Sequence, residues 1–208
     1  MPTTTLNKSA GVVLLAHTVQ ASAVITVGPA VDVSSKIGPV TAFVKVGRSV
    51  AAALTNNLRF RLEASAKAAG NDEWVPLYEW TSANGLTAAT ATTLNGATAA
   101  GNASSVVASS AGLTPGDTLY FRETGVPANS EWSRLAAQAG TTSTFDDPQT
   151  RSHTNGIAIT DLAELFAIQI DVTAQVRLRL VVDSASAASG QVVDVIAWLV
   201  SADSTLTA

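Results

Sequence analysis

The chain has 208 residues, 47% hydrophobic and only 13% charged, with a formal net charge of −4 and no cysteine. That length and apolar content allow a sizeable core and exclude a disordered chain, while the acidic balance speaks against a phosphate-binding surface, so nucleic acid is not an expected partner. The absence of thiols excludes disulfides and thiolate metal sites, and a charged fraction about half that of an ordinary soluble domain predicts that partners cover some apolar surface.

Met1 to Ala10 is polar and Thr-rich and reads as an extended arm, either frayed or ordered against a neighbouring subunit. The apolar run that follows is short and interrupted by His17 and Gln20, so a strand is expected there and not a targeting segment. Pro29 and Asp32 come too soon for a membrane span, which needs about 20 apolar residues. Five strands are expected at about 12–20, 23–33, 40–46, 58–66 and 74–81, separated by Gly28-Pro29, Gly38-Pro39, Gly47 and Ala69-Gly70-Asn71-Asp72, with a turn near Arg48 to Asn56. In the fourth, Phe60, Leu62, Ala64 and Ala66 alternate with Arg59, Arg61, Glu63 and Ser65, which predicts one core face and one wet face. Pro76 in the fifth implies an edge strand or a bulge.

From about Leu86 to about Ile157 small residues and turn-formers take over, with short strands expected at about 105–108, 118–121, 130–137 and 142–145. Such a stretch suits a small β-barrel or curled sheet. In Leu113-Thr114-Pro115-Gly116-Asp117, Pro115 presets φ, Gly116 can take positive φ and Asp117 can bond nearby amides. Long alternation then resumes at about 165–173, 175–183 and 191–201. In the last of these, Val192, Ile196, Trp198 and Val200 oppose Val193, Val195, Ala197 and Leu199, so both faces are largely apolar and burial on both sides is expected. The whole reads as an all-β chain: an antiparallel β-sandwich, jelly-roll-like, formed by 1–85 and 158–208, interrupted by an inserted β-barrel-like domain at 86–157.

The inserted stretch resembles a small module of tailed-bacteriophage virion proteins. The elements that carry the resemblance are Thr93-Leu94 through Gly101, Ala111-Gly112-Leu113-Thr114-Pro115-Gly116-Asp117, Thr118 to Phe121, Asn129-Ser130-Glu131-Trp132-Ser133, and Pro148 through His153 to Gly156. The flanking Leu58-Arg59-Phe60-Arg61-Leu62-Glu63-Ala64-Ser65 also looks like phage structural proteins. The resemblance implies a virion structural protein assembled in the host cytoplasm, with the major capsid protein or other virion proteins as partners.

No catalytic constellation is visible: Gly-x-Ser-x-Gly, a phosphate-binding loop and a zinc-protease motif are all absent. His153 with Asp146 and Asp147 could in principle ligate an ion, but such a group is ordinarily a turn with the histidine packed inward, so neither metal nor cofactor is expected. Asp72-Glu73 reads as a solvated turn, and Arg59, Arg61, Arg177 and Arg179, with Glu63 and Asp183 nearby, as a solvated sheet face or interface salt bridges. Trp74, Tyr78 and Trp80 could stack on sugar rings, though three aromatics in one strand more often belong to a core or a subunit contact. The expected function is therefore non-enzymatic: a capsid decoration protein forming homo-oligomers, trimers above all. A neck, tail or fibre component and a carbohydrate-binding module are the alternatives, and the N-terminal arm with Val192, Ile196, Trp198 and Val200 is the expected interface.

Overall fold

The structure, a computed structural model, describes residues 3–8, 11–20, 24–36, 38–48, 58–70, 73–82, 88–184 and 193–207, with 3–8 and 202–207 as backbone course alone. Val192, Asn71, Asp72 and the expected turn beyond Arg48 lie outside the described residues. The strands in chain order are β1 (Thr3–Lys8), β2 (Val12–Gln20), β3 (Ile25–Val27), β4 (Val31–Asp32), β5 (Pro39–Arg48), β6 (Arg59–Ser65), β7 (Val75–Thr81) and β8 (Ala91–Thr93). They continue with β9 (Ser104–Val106), β10 (Thr118–Arg122), β11 (Glu131–Ala139), β12 (Thr142–Phe145), β13 (Ala158–Thr160), β14 (Glu164–Asp171), β15 (Arg177–Asp183) and β16 (Val193–Thr207). One 3-10 turn, Pro127–Asn129, is the sole helical element among the described residues. The fold is all-β and its sheets are antiparallel.

Two sheets share one hydrophobic cluster. In the first, β16 is flanked by β5 on one side and by β2 and β1 on the other, and β14 closes the β5 side. In the second, β15 lies between β6 and the short β3 and β4, and β7 closes the β6 side. Leu14, Val40, Ala42, Val44, Val195 and Ala197 of the first sheet meet Phe60, Leu62, Leu178, Leu180 and Val182 of the second, all essentially without solvent exposure. Alternation produces this: in β5 the even-numbered residues from Val40 to Val46 point into the shared core while Thr41, Phe43 and Lys45 point out. The expected strand at 23–33 is broken into β3 and β4 at Gly28, whose nitrogen bonds the Leu180 carbonyl while a Cβ there would lie 2.2 Å from the Leu14 carbonyl oxygen.

The third sheet, β8-β13-β10-β11-β12-β9, curls into a half-barrel whose edge strands meet through a bridge between Leu94 and Val107. It has a separate hydrophobic cluster of Leu94, Val107, Leu119, Phe121, Leu135, Phe145 and Ile159. The three-residue strands β8 and β13 were not foreseen, and β13 pairs with β10 and β8 of this sheet, so the curled sheet runs past Ile157 to Thr160. Its entry and exit are tied where the Thr90 amide donates to the Asp161 carboxylate at 2.6 Å and the Asp161 amide donates back to the Thr90 carbonyl. Gly116 takes φ +101° in its turn, and the Asp117 carboxylate accepts from the Thr114 amide at 2.7 Å, as that turn chemistry requires.

The expected wet face of β6 is corrected by the structure, because Glu63 and Ser65 are buried. Glu63 accepts a pair of bonds from Arg179, 2.8 Å from Nε and 2.7 Å from the terminal nitrogen, and the Trp74 ring lies 4.1 Å from that guanidinium. A carboxylate can leave water here because its charge is paired and the indole shields the pair.

Candidate functional site

The half-barrel sits on the outer face of the first sheet, the face turned away from the shared core, and the joint is built from single residues. Gly47 of β5 is the seat. Tyr120 of β10 covers it so closely that a Cβ on Gly47 would lie 2.4 Å from the tyrosine ring. Tyr120 is fully buried yet belongs to neither hydrophobic cluster. Its hydroxyl donates to Asp194 Oδ2 of β16 at 2.5 Å, and Arg122 Nε donates to the same oxygen at 2.8 Å. Trp132 of β11 leans on Tyr120 with ring centroids 4.6 Å apart and donates from Nε1 to the Val46 carbonyl at 2.9 Å. On the far side the Thr160 hydroxyl donates to the Arg48 carbonyl at 2.5 Å.

His17 of β2 completes the joint. The Tyr120 proton is committed to Asp194, so His17 Nε2, 3.2 Å from that hydroxyl, is the donor to it. His17 Nδ1 is buried without a hydrogen-bond partner, and protonating it would bury an unpaired N–H. Desolvation accordingly holds the His17 pKa below its usual value, against the raising influence of Asp194 and with help from Arg122. Burial first, then the bond to and the charge of Asp194, push the Tyr120 phenol far above its ordinary pKa.

Asp194 is the residue that alternation passed over. It shares the face of Ile196, Trp198 and Val200 and is 1% exposed. A carboxylate in an apolar strand was the available signal, because a buried charge demands partners. Ile196, Trp198 and Val200 are half-buried, and Ile196 and Trp198 open into a cleft of about 320 Å³ between the half-barrel and the first sheet. Lys45 and Trp198 form the sheet side of that cleft; Glu131, Trp132, Arg134 and Arg151 line the opposite wall. On the other side of Lys45 and Trp198 a more apolar hollow of about 260 Å³ is lined by Phe43, Leu165, Phe166 and Ala167.

His153 lies against the cleft wall from within. It is 2% exposed, stacks on Phe121 with centroids 5.1 Å apart, and its Nε2 is 3.1 Å from Glu131 Oε2. Asp146 is directed elsewhere, toward Arg134 at 3.5 Å, so the three residues that could in principle have ligated an ion do not converge. No group of three or more His, Asp or Glu side chains able to hold a metal is found among the described residues. Burial alone would raise the Glu131 pKa, but bonds from His153, from the amide and hydroxyl of Thr150 and from the Arg151 amide outweigh it and hold the carboxyl below its usual value.

The aromatic trio of the second sheet does not form a platform. Trp80 packs on Phe60 and Phe166, at centroid distances of 5.1 and 5.9 Å, and Trp74 is covered by Arg177 and Arg179, which leaves Tyr78 exposed. The four arginines find partners within the chain: Arg59 with Glu79, Arg61 and Arg179 with Glu63, and Arg177 with the carbonyls of Lys67 and Gly70. The backbone of the expected arm, β1, pairs with residues 202–207 of its own chain. Comparison of the chain with protein-family models, with curated proteins and with solved structures gives no match.

Proposed function

We propose that the chain is a non-enzymatic structural subunit of a tailed-bacteriophage virion, a capsid decoration protein that stabilises the head through contacts with the major capsid protein and with copies of itself, three around an axis. In this reading the two sheets with a common core are a jelly-roll-like sandwich, and residues 86–157 are a module inserted into it. The observation that carries the reading is the apolar character of the two sides of the paired sheets, each of which ends in an edge strand among the described residues. Edge strands β2 and β3 expose Val12, Val13, Val19, Ile25 and Val27. On the opposite side, edge strands β7 and β14 expose Val75, Leu77, Tyr78 and Leu165.

Unpaired edges with apolar side chains are a liability for a monomer and a natural surface for subunits that meet edge to edge. Two different edges on one chain make a head-to-tail contact, and such contacts close into rings when the rotation allows. The rigid joint adds to this, since it fixes the half-barrel as a knob on the face away from the core. A neck, tail or fibre subunit would use the same edges. Cosedimentation of the purified chain with phage heads lacking their decoration protein tests the assignment: saturable binding at a fixed number of copies per capsomer is expected, and heads that pellet without it refute the decoration role.

A further inference from the structure

The cleft between the half-barrel and the first sheet carries a cation that no hydrogen-bond acceptor among the described residues receives. Lys45 Nζ lies 5.6 Å from the Trp132 ring centroid and 5.5 Å from that of Trp198, so two indole faces screen the ammonium. No carboxylate or carbonyl accepts a hydrogen bond from it among the described residues. Glu131 acts on it only through space, and burial lowers the Lys45 pKa more than Glu131 raises it. The indole faces attract the ammonium but accept none of its three N–H bonds, so its donors stay open to a ligand.

Across the cleft Arg151 is exposed, and its side chain has no acceptor among the described residues. Arg134 already leans on Asp146, and the Glu131 oxygens are taken by Thr150, Arg151 and His153. The groups left to meet a ligand are therefore the Lys45 ammonium and the Arg151 guanidinium, together with the exposed carboxylate of Asp147 at the rim. Glu131 and Asp147 make the cleft unfavourable for a doubly charged phosphate and tolerable for a singly charged anion. At about 320 Å³ the cleft is at the small end of ligand sites and suits a group of about one ring.

We propose that this cleft binds a small hydroxyl-bearing carboxylate of the size of one acidic sugar ring, its carboxylate received by Lys45 and Arg151 and a ring hydroxyl donating to the Asp147 carboxylate at the rim. The site stands independently of whether the chain decorates a capsid. Titration of the full chain with glucuronate, followed through the indole N–H resonances of Trp132 and Trp198, tests it. Saturable shifts at both indoles are expected with glucuronate, and none with glucose. Lys45→Met should weaken glucuronate about tenfold or more, the loss of one charge-assisted bond. Should that variant fold poorly, exposed Arg151→Gln should still weaken it roughly threefold. Equal response to glucose, tighter binding of inorganic phosphate, shifts confined to Trp74 and Trp80, or glucuronate binding unchanged in both variants would each overturn the proposal.

Discussion

Gly47 has no room for a side chain, and the constraint comes from a residue far away in sequence: the Tyr120 ring occupies the space where a Cβ would stand. Gly47→Ala should therefore lift the half-barrel from its seat. The expected cost is about 1–3 kcal/mol of overpacking, read as a lower urea midpoint with Trp132 emission shifted to the red, and an unchanged midpoint would remove Gly47 from the joint. The pH dependence follows from groups at the same place. His17 is held below its usual pKa of 6.5, so the unfolded chain takes up that proton first, and stability from this source is complete above pH 6.5 and falls as the pH drops below it. Glu131 is held below 4.5, so its contribution is present above that pH and is lost as the pH falls through the depressed value. Urea midpoints measured from pH 7 to pH 4 should decline, and His17→Gln should flatten the first part of the decline; an identical curve for the variant would show that His17 does not contribute. None of this was legible locally, since Gly47 reads as a strand terminator and Asp194 as one polar residue among valines until Tyr120 is seen to join them.

At the scale of elements, alternation located the long strands well: β2 was expected at its observed bounds, and β5, β6, β7, β14 and β15 within a few residues. In β5 and β14 the side chains obey a period of two because each strand has one face on the shared core, whereas β2 buries the adjacent Leu14 and Leu15 and β7 is exposed along most of its length. The sequence failed where that cause is missing. Strands β8 and β13 are three residues long, too short to show a period, and exist because β10 offers them a partner. Glu63 alternated with core residues and so read as solvated, although Arg179 and Trp74 cover it. Edge strands are where the proposed assembly makes its own prediction. Leu77 of β7 and Leu165 of β14 are exposed, so lysine at both positions should leave the unfolding midpoint within about 0.5 kcal/mol of the parent while weakening self-association in sedimentation velocity. Association unaffected by the double change would remove this edge from the interface.

Across the whole molecule the two hydrophobic clusters stay separate, and what lies between them is a polar joint of Tyr120, Arg122, His17 and Asp194 with the indole of Trp132. A chain with only 13% charged residues spends several of them inside, on Asp194, Glu63, Glu123 and Glu131. The cleft could not be read from the sequence, because Lys45, Trp132 and Trp198 come from three distant strands and meet only when the half-barrel sits on β5. The central claim, that the chain is an assembly subunit whose edges find copies of itself, is tested most directly by light scattering of the purified protein across a dilution series. The account predicts a trimer, three times the 21.2 kDa of one chain, persisting to low concentration; a stable monomer at every concentration would contradict it.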